Sequence, residues 1–129
     1  YKRQMLRLFG ERDEVRVVDD QWGSPTYAKD LARTVVKIIV NGAIKYGIYH
    51  FTNEGRTNWY EFAKEIYRLA RERGIVEREV TIIPIPTEQY PTRAARPKNS
   101  LLSKEKIKRK LGVECREWRV ALEEYLKNC

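Results

Sequence analysis

Apolar residues along this chain alternate between two spacings. Some stretches repeat every three or four positions, and others run as short β-branched or aromatic blocks, so helices are interleaved with strands. Met5, Leu6 and Phe9 share one side of the first stretch, opposite Lys2, Arg3, Arg7 and Arg12. No N-cap residue precedes it, so the chain is expected to begin inside an element. Gly10 and the cluster Glu11-Arg12-Asp13-Glu14 predict the end of that helix, and Val15-Arg16-Val17-Val18 reads as a strand. A loop follows from Asp19, in which Gly23 and Pro25 permit a tight course and Thr26 is placed to cap the next helix. From Tyr27 to Val40, residues Ala28, Leu31, Ala32, Val35, Ile38 and Ile39 predict an amphipathic core helix that Asn41-Gly42 stops.

Gly47-Ile48-Tyr49-His50-Phe51-Thr52 reads as a short buried strand, closed by the turn residues Asn53-Glu54-Gly55. Asn58 with Glu61 resembles a capping box for a helix whose stripe is Trp59, Phe62, Ala63, Ile66, Tyr67 and Ala70, stopping near Gly74. Val80-Thr81-Ile82-Ile83 is the third predicted strand, ended by Pro84 and Pro86. From Pro84 to Asn99 there is little periodicity, which predicts an ordered surface loop, a kind of segment that often carries function. Ser103 is placed to cap a short basic helix ending at Leu111-Gly112, and Trp118, Ala121, Leu122, Tyr125 and Leu126 mark a final helix. This order implies an α/β fold with a small, parallel three-stranded sheet and about five helices. So small a sheet needs cover on both faces and company at its edge, so it is expected to extend into or pack against another domain.

Composition narrows the class. The chain has 129 residues, 42% of them hydrophobic, enough for one core and one domain. It has neither the roughly 20-residue apolar run of a membrane span nor the start of a signal peptide, so a soluble, cytoplasmic protein is expected, with no membrane partner. Cys115 and Cys129 lack metal-site or CxxC spacing and are expected to be free thiols. The lysine-, arginine- and glutamate-rich surface has the balance of thermophile proteins that use ion-pair networks. A net charge of +8 would attract any polyanion. A basic nucleic-acid-binding module or a non-catalytic interaction module is therefore an alternative function. The positive residues are scattered over every helix, however, with no zinc-finger spacing, RNP-like run or helix-turn-helix, which disfavours nucleic acid. Lys104-Glu105-Lys106-Ile107-Lys108-Arg109-Lys110 reads as a solvated helix face.

Three segments carry a resemblance. Asp20-Gln21-Trp22-Gly23-Ser24-Pro25-Thr26, followed by Asp30-Leu31, is similar to a run in the dTDP-4-dehydrorhamnose reductases of the extended short-chain dehydrogenase/reductase family. So are Gly47 to Asn53 with Trp59 and Phe62 beyond, and Arg96-Pro97-Lys98-Asn99-Ser100-Leu101-Leu102, which resembles that family's Arg-Pro-x-Asn-Ser-x-Leu signature. The resemblance implies the substrate-binding part of a Rossmann-type reductase that uses NADPH or NADH, in some members with magnesium, to reduce dTDP-4-dehydro-L-rhamnose to dTDP-L-rhamnose.

The family's amino-terminal Rossmann domain, with its Gly-rich loop and catalytic Tyr-x-x-x-Lys, has no counterpart in this sequence, so no cofactor is expected to bind here. Tyr60 and Lys64 have that spacing, but they lie on an amphipathic helix in the wrong order and read as a helix-surface pair. What remains is binding of a dTDP-sugar. Arg96 offers a planar fork of donors for phosphate oxygens, with Asn99 and Ser100 beside it. Gln21, Trp22 and Gly23 are placed to line the sugar or base pocket, Trp22 by stacking and Gly23 by close backbone approach. His50, between Tyr49 and Phe51, reads as a packing residue. A surface left by the missing domain would favour homodimers or other self-association.

Overall fold

The structure is a computed structural model that describes residues 1–42 and 45–128. The chain passes in order through α1 (Lys2–Glu11), β1 (Glu14–Val18), β2 (Trp22–Gly23), α2 (Ala28–Asn41), β3 (Thr57–Asn58), α3 (Trp59–Glu72) and β4 (Thr81–Ile85). A 3-10 turn at Thr87–Gln89 precedes α4 (Glu105–Leu111) and α5 (Trp118–Lys127).

The centre is α3. Its start is fixed as the sequence predicts: the Asn58 side chain accepts a hydrogen bond from the Glu61 amide at 2.7 Å, satisfying a donor the helix cannot use. Its stripe Phe62, Ala63, Ile66, Leu69 and Ala70 is buried throughout. Met5 and Phe9 of α1 pack on one side of that stripe, Trp118, Leu122 and Leu126 of α5 on another, and Val15 and Val17 of β1 on a third. Phe9 and Ile66 have no exposed surface, and each such side chain contributes roughly 1.5–3 kcal/mol by leaving water.

β1 and β4 pair in parallel, with Val15 opposite Ile82 and Val17 opposite Pro84. Contrary to expectation, Pro84 lies inside its strand. Thr81 donates its amide to Asp13, so by two-residue alternation the Pro84 nitrogen points away from β1, where no donor is needed. The α/β class holds, but the parallel sheet has two strands among the described residues, not three. Gly47–Thr52 forms no strand: no sheet edge reaches it, Ile48 is 78% exposed, and His50 is exposed rather than packed.

Other differences are local. α1 runs one residue past Gly10. α2 is not a core helix, since Leu31, Val35, Val36, Ile39 and Val40 are exposed and its buried residues are Asp30 and Thr34. Thr26 does not cap it: the N-cap is Tyr27, whose amide is taken by the Asn53 side chain at 2.7 Å. Ser103 does not cap α4 either, where Lys104 holds that position. Lys104 is also buried, against the solvated-face reading, because Thr52 accepts from its ammonium at 3.1 Å and Glu54 lies close by. Cys115 is a free thiol, and burial pushes its pKa up; Cys129 lies outside the described residues. No helix among the described residues is long and apolar enough to cross a membrane.

Candidate functional site

Three segments distant in sequence meet at Trp22. Its amide donates to the Lys98 carbonyl at 2.7 Å, and its own carbonyl accepts from the Ser100 amide at 2.8 Å, which lays Asn99 alongside as a parallel bridge partner. On its other edge Trp22 pairs antiparallel with Asn58, and Gly23 with Thr57. The two residues of β2 are therefore the middle of a small three-segment sheet that pins the end of the long loop to the start of α3. Gly23 is required by that closeness, since a Cβ there would sit 2.6 Å from the Ser100 hydroxyl. Its missing side chain makes room for Ser100, whereas the sequence had suggested room for a ligand.

This sheet frames a cavity of about 240 Å³. Of the predicted residues, Gln21, Trp22, Gly23, Arg96 and Ser100 line it together. Asn99 does not: its side-chain oxygen accepts from the Leu101 amide at 3.2 Å and stabilises the turn instead. Arg96 forms no hydrogen bond or ion pair with another described residue, so its guanidinium fork is available at the cavity wall. Gln21 is differently placed. Its amide nitrogen donates to the Thr87 hydroxyl at 3.3 Å and its oxygen accepts from the Trp59 indole at 3.2 Å, so both ends are engaged within the protein. Thr87 is held in turn by Asp20, whose carboxyl its hydroxyl and amide keep below the usual carboxylate range.

Sequence reasoning missed the contribution of β3 and α3. Thr57, Asn58, Trp59 and Phe62 line the cavity, although Trp59 and Phe62 read as core-stripe residues; only the first turn of α3 reaches the site, and periodicity does not mark which turn that is. Arg56 was missed as well. Its guanidinium lies 4.2 Å from the centre of the Trp22 ring, a cation–π contact with no local sequence signal.

Behind the cavity a buried polar cluster holds the 22–27 loop. Asp30 accepts both nitrogens of a bidentate Arg116 at 2.8 Å and the Asn53 amide at 2.7 Å. The other end of Asn53 holds the Tyr27 amide, and the Ser24 hydroxyl donates to the Gly55 carbonyl. Burial pushes the Asp30 carboxyl up, but the bonds from Arg116 and Asn53 and the charges of Arg116 and Arg33 more than offset it, leaving it below the usual range.

The junction from β1 to α2 is unlike a dinucleotide-binding turn: it has no Gly-rich run, the amide of the N-cap Tyr27 is spent on Asn53, and Asp30 puts a negative charge in the first turn of the helix. No group of three or more acidic, histidine or cysteine side chains among the described residues is placed to hold a metal ion. The expected surface pair is present, with the Lys64 ammonium 5.0 Å from the Tyr60 ring centre.

Fold and cavity together define an α/β substrate-binding domain, with a cation, hydroxyls and aromatic rings around one opening. The chain belongs to the RmlD substrate binding domain family, which it matches over residues 1–129. It is 42% identical over 126 residues to the dTDP-4-dehydrorhamnose reductase of Aggregatibacter actinomycetemcomitans, covering 95% of this chain and 43% of that protein. It is 44% identical over 123 residues to the spore coat polysaccharide biosynthesis protein SpsK of Bacillus subtilis, covering 95% of this chain and 40% of that protein. Among solved structures, a dTDP-4-dehydrorhamnose reductase from Clostridium acetobutylicum superposes with a TM-score of 0.87 at 40% identity, over 99% of this chain and 43% of that one. The Bacillus anthracis enzyme, crystallised in complex with NADP, gives 0.86 at 35% identity, over 100% of this chain and 43% of that one. The chain thus spans less than half the length of these relatives and corresponds to their carboxy-terminal portion.

Proposed function

We propose that the cavity binds the nucleotide-sugar substrate of a dTDP-4-dehydrorhamnose reductase, with Arg96 gripping the diphosphate. The observation that carries this reading is an unpaired guanidinium lining an aromatic-walled cavity that Ser100 also lines. Trp22 and the backbone at Gly23 border the same space, and Asn99 shapes the turn that presents Arg96 and Ser100. In the whole cytoplasmic protein the reaction would be an NADPH- or NADH-dependent reduction of dTDP-4-dehydro-L-rhamnose. The nicotinamide cofactor, and magnesium where it is used, would be held by a nucleotide-binding domain outside these 129 residues, a reading supported by the lack of a Gly-rich turn between β1 and α2. Alone, this portion binds substrate without turning it over.

The apolar face of α2 supports the same reading, since Val35, Ile39 and Val40 are exposed on a helix patterned for burial and would be covered by that second domain. Without it, the face favours self-association. Calorimetry with dTDP tests the ligand. Saturable binding is expected, weakened about tenfold or more by Arg96→Ala, the loss of one charge-assisted contact. Absence of heat with dTDP at millimolar concentration would sink the proposal.

A further inference from the structure

We propose that Trp59 is the nucleobase platform of the cavity and that Gln21 is its positioning residue. On this assignment a pyrimidine nucleoside diphosphate lies with its base toward α3 and its phosphates toward Arg96. The inference rests on the nucleotide-sugar reading above and adds to it an orientation and a division of labour.

Three aromatic rings border the cavity, and each has a partner in the protein; Trp59 lies tilted against Tyr1, with ring centroids 4.6 Å apart. Trp22 carries the Arg56 guanidinium over its ring at 4.2 Å. Phe62 is only 5% exposed, packed edge-on against Trp118 and stacked with Tyr1. Trp59 is partly exposed at the wall. A flat, polarisable ring in that position suits stacking of a base, which tolerates any π-face.

Its orientation is set by a chain of hydrogen bonds rather than by packing alone. The indole N–H donates to Gln21, Gln21 donates to Thr87, and the Thr87 hydroxyl and amide donate to Asp20. Each end of the Gln21 amide holds one protein partner, Thr87 and Trp59, and on this assignment its effect on binding passes through Trp59. A ring held in one orientation before the ligand arrives loses less freedom on binding, which favours the base-bearing ligand specifically.

The test uses the 129-residue chain with two probes, dTDP and inorganic pyrophosphate, read by calorimetry and tryptophan fluorescence, with thermal melts to confirm folding. Gln21→Leu is expected to weaken dTDP about tenfold, within the range known for base stacking, while pyrophosphate affinity stays within about twofold. Arg96→Ala is expected to weaken both probes. Quenching of indole emission by dTDP should vanish in Trp59→Phe and persist in Trp118→Phe, whose ring is buried. The assignment is overturned if Gln21→Leu leaves dTDP affinity unchanged, if it weakens the two probes equally, or if quenching survives Trp59→Phe. These results would leave the nucleotide-sugar reading intact. Failure of the wild-type chain to bind either probe would instead overturn that reading together with this one.

Discussion

α2 and α3 have the same length and the same kind of apolar stripe, yet they meet opposite fates. In α3 the stripe is buried from Phe62 to Ala70, whereas in α2 Leu31, Val35, Val36, Ile39 and Val40 face solvent and the buried positions are polar, Asp30 and Thr34. Hydrophobic periodicity states that a face is suited to burial; it does not state that the partner lies within the same hundred-odd residues. α3 finds its partners nearby, in α1, α5 and the β1–β4 pair. α2 is attached instead through its first turn, by the Asp30 cluster, and offers its remaining turns outward.

Matched truncations of the two stripes break the comparison most directly. Ile66 has no exposed surface, so Ile66→Ala removes buried methyl groups and leaves a cavity, at a cost of about 3–4 kcal/mol. Ile39 is 64% exposed, and Ile39→Ala should change stability by no more than about 0.5 kcal/mol. Urea unfolding of both variants measures the difference. Equal losses would mean that α2 is packed in solution and that the contrast is false.

The attachment of α2 gives the next largest effect. Asp30→Ala takes one acceptor from Arg116, which keeps Glu124, and one from Asn53, which keeps the Arg116 carbonyl; it should cost about 2 kcal/mol, less than a fully buried pair because Arg116 also keeps a third of its side chain in solvent. The folded carboxyl lies below the ordinary range, so its contribution is complete above the unfolded value of about 4 and is lost as pH falls through the folded value. A stability-against-pH curve should therefore drop on the acid side in the wild type and be flatter there in Asp30→Ala. A parallel fall in both proteins would remove Asp30 from the account.

How much of this was legible in the sequence follows from the same contrast. The elements with local signals were readable: the β-branched block at Val15–Val18, the α3 stripe and its Asn58 cap, and α5. The six candidate site residues came from two separate segments through a family resemblance, and five of them line one cavity. What was not legible depends on contacts between segments. Thr26 has the chemistry of a cap, but Asn53, held by Asp30 and Arg116, reaches the Tyr27 amide first. Gly47–Thr52 has a strand's composition without a neighbouring edge. Gln21 looks like a ligand contact until Thr87 and Trp59 occupy both ends of its amide, and nothing near Arg56 announces that it will lie over Trp22.

The helix starts give a smaller test of the same point. Asn58→Ala removes an observed cap bond and should cost about 1 kcal/mol, while Thr26→Ala removes none and should cost less than about 0.5 kcal/mol.

The smallest expected effect on stability is the most informative about α2. Ile39→Glu places a charge on a face that is already in water, so the melting temperature of the 129-residue chain should scarcely move. The same charge would have to be desolvated in any contact made through that face, so self-association should weaken clearly in sedimentation at high protein concentration. A fall in melting temperature as large as that of Ile66→Ala would show α2 to be an internal helix. An unchanged association constant would place the sticky surface elsewhere and leave the stripe of α2 without the partner its pattern implies.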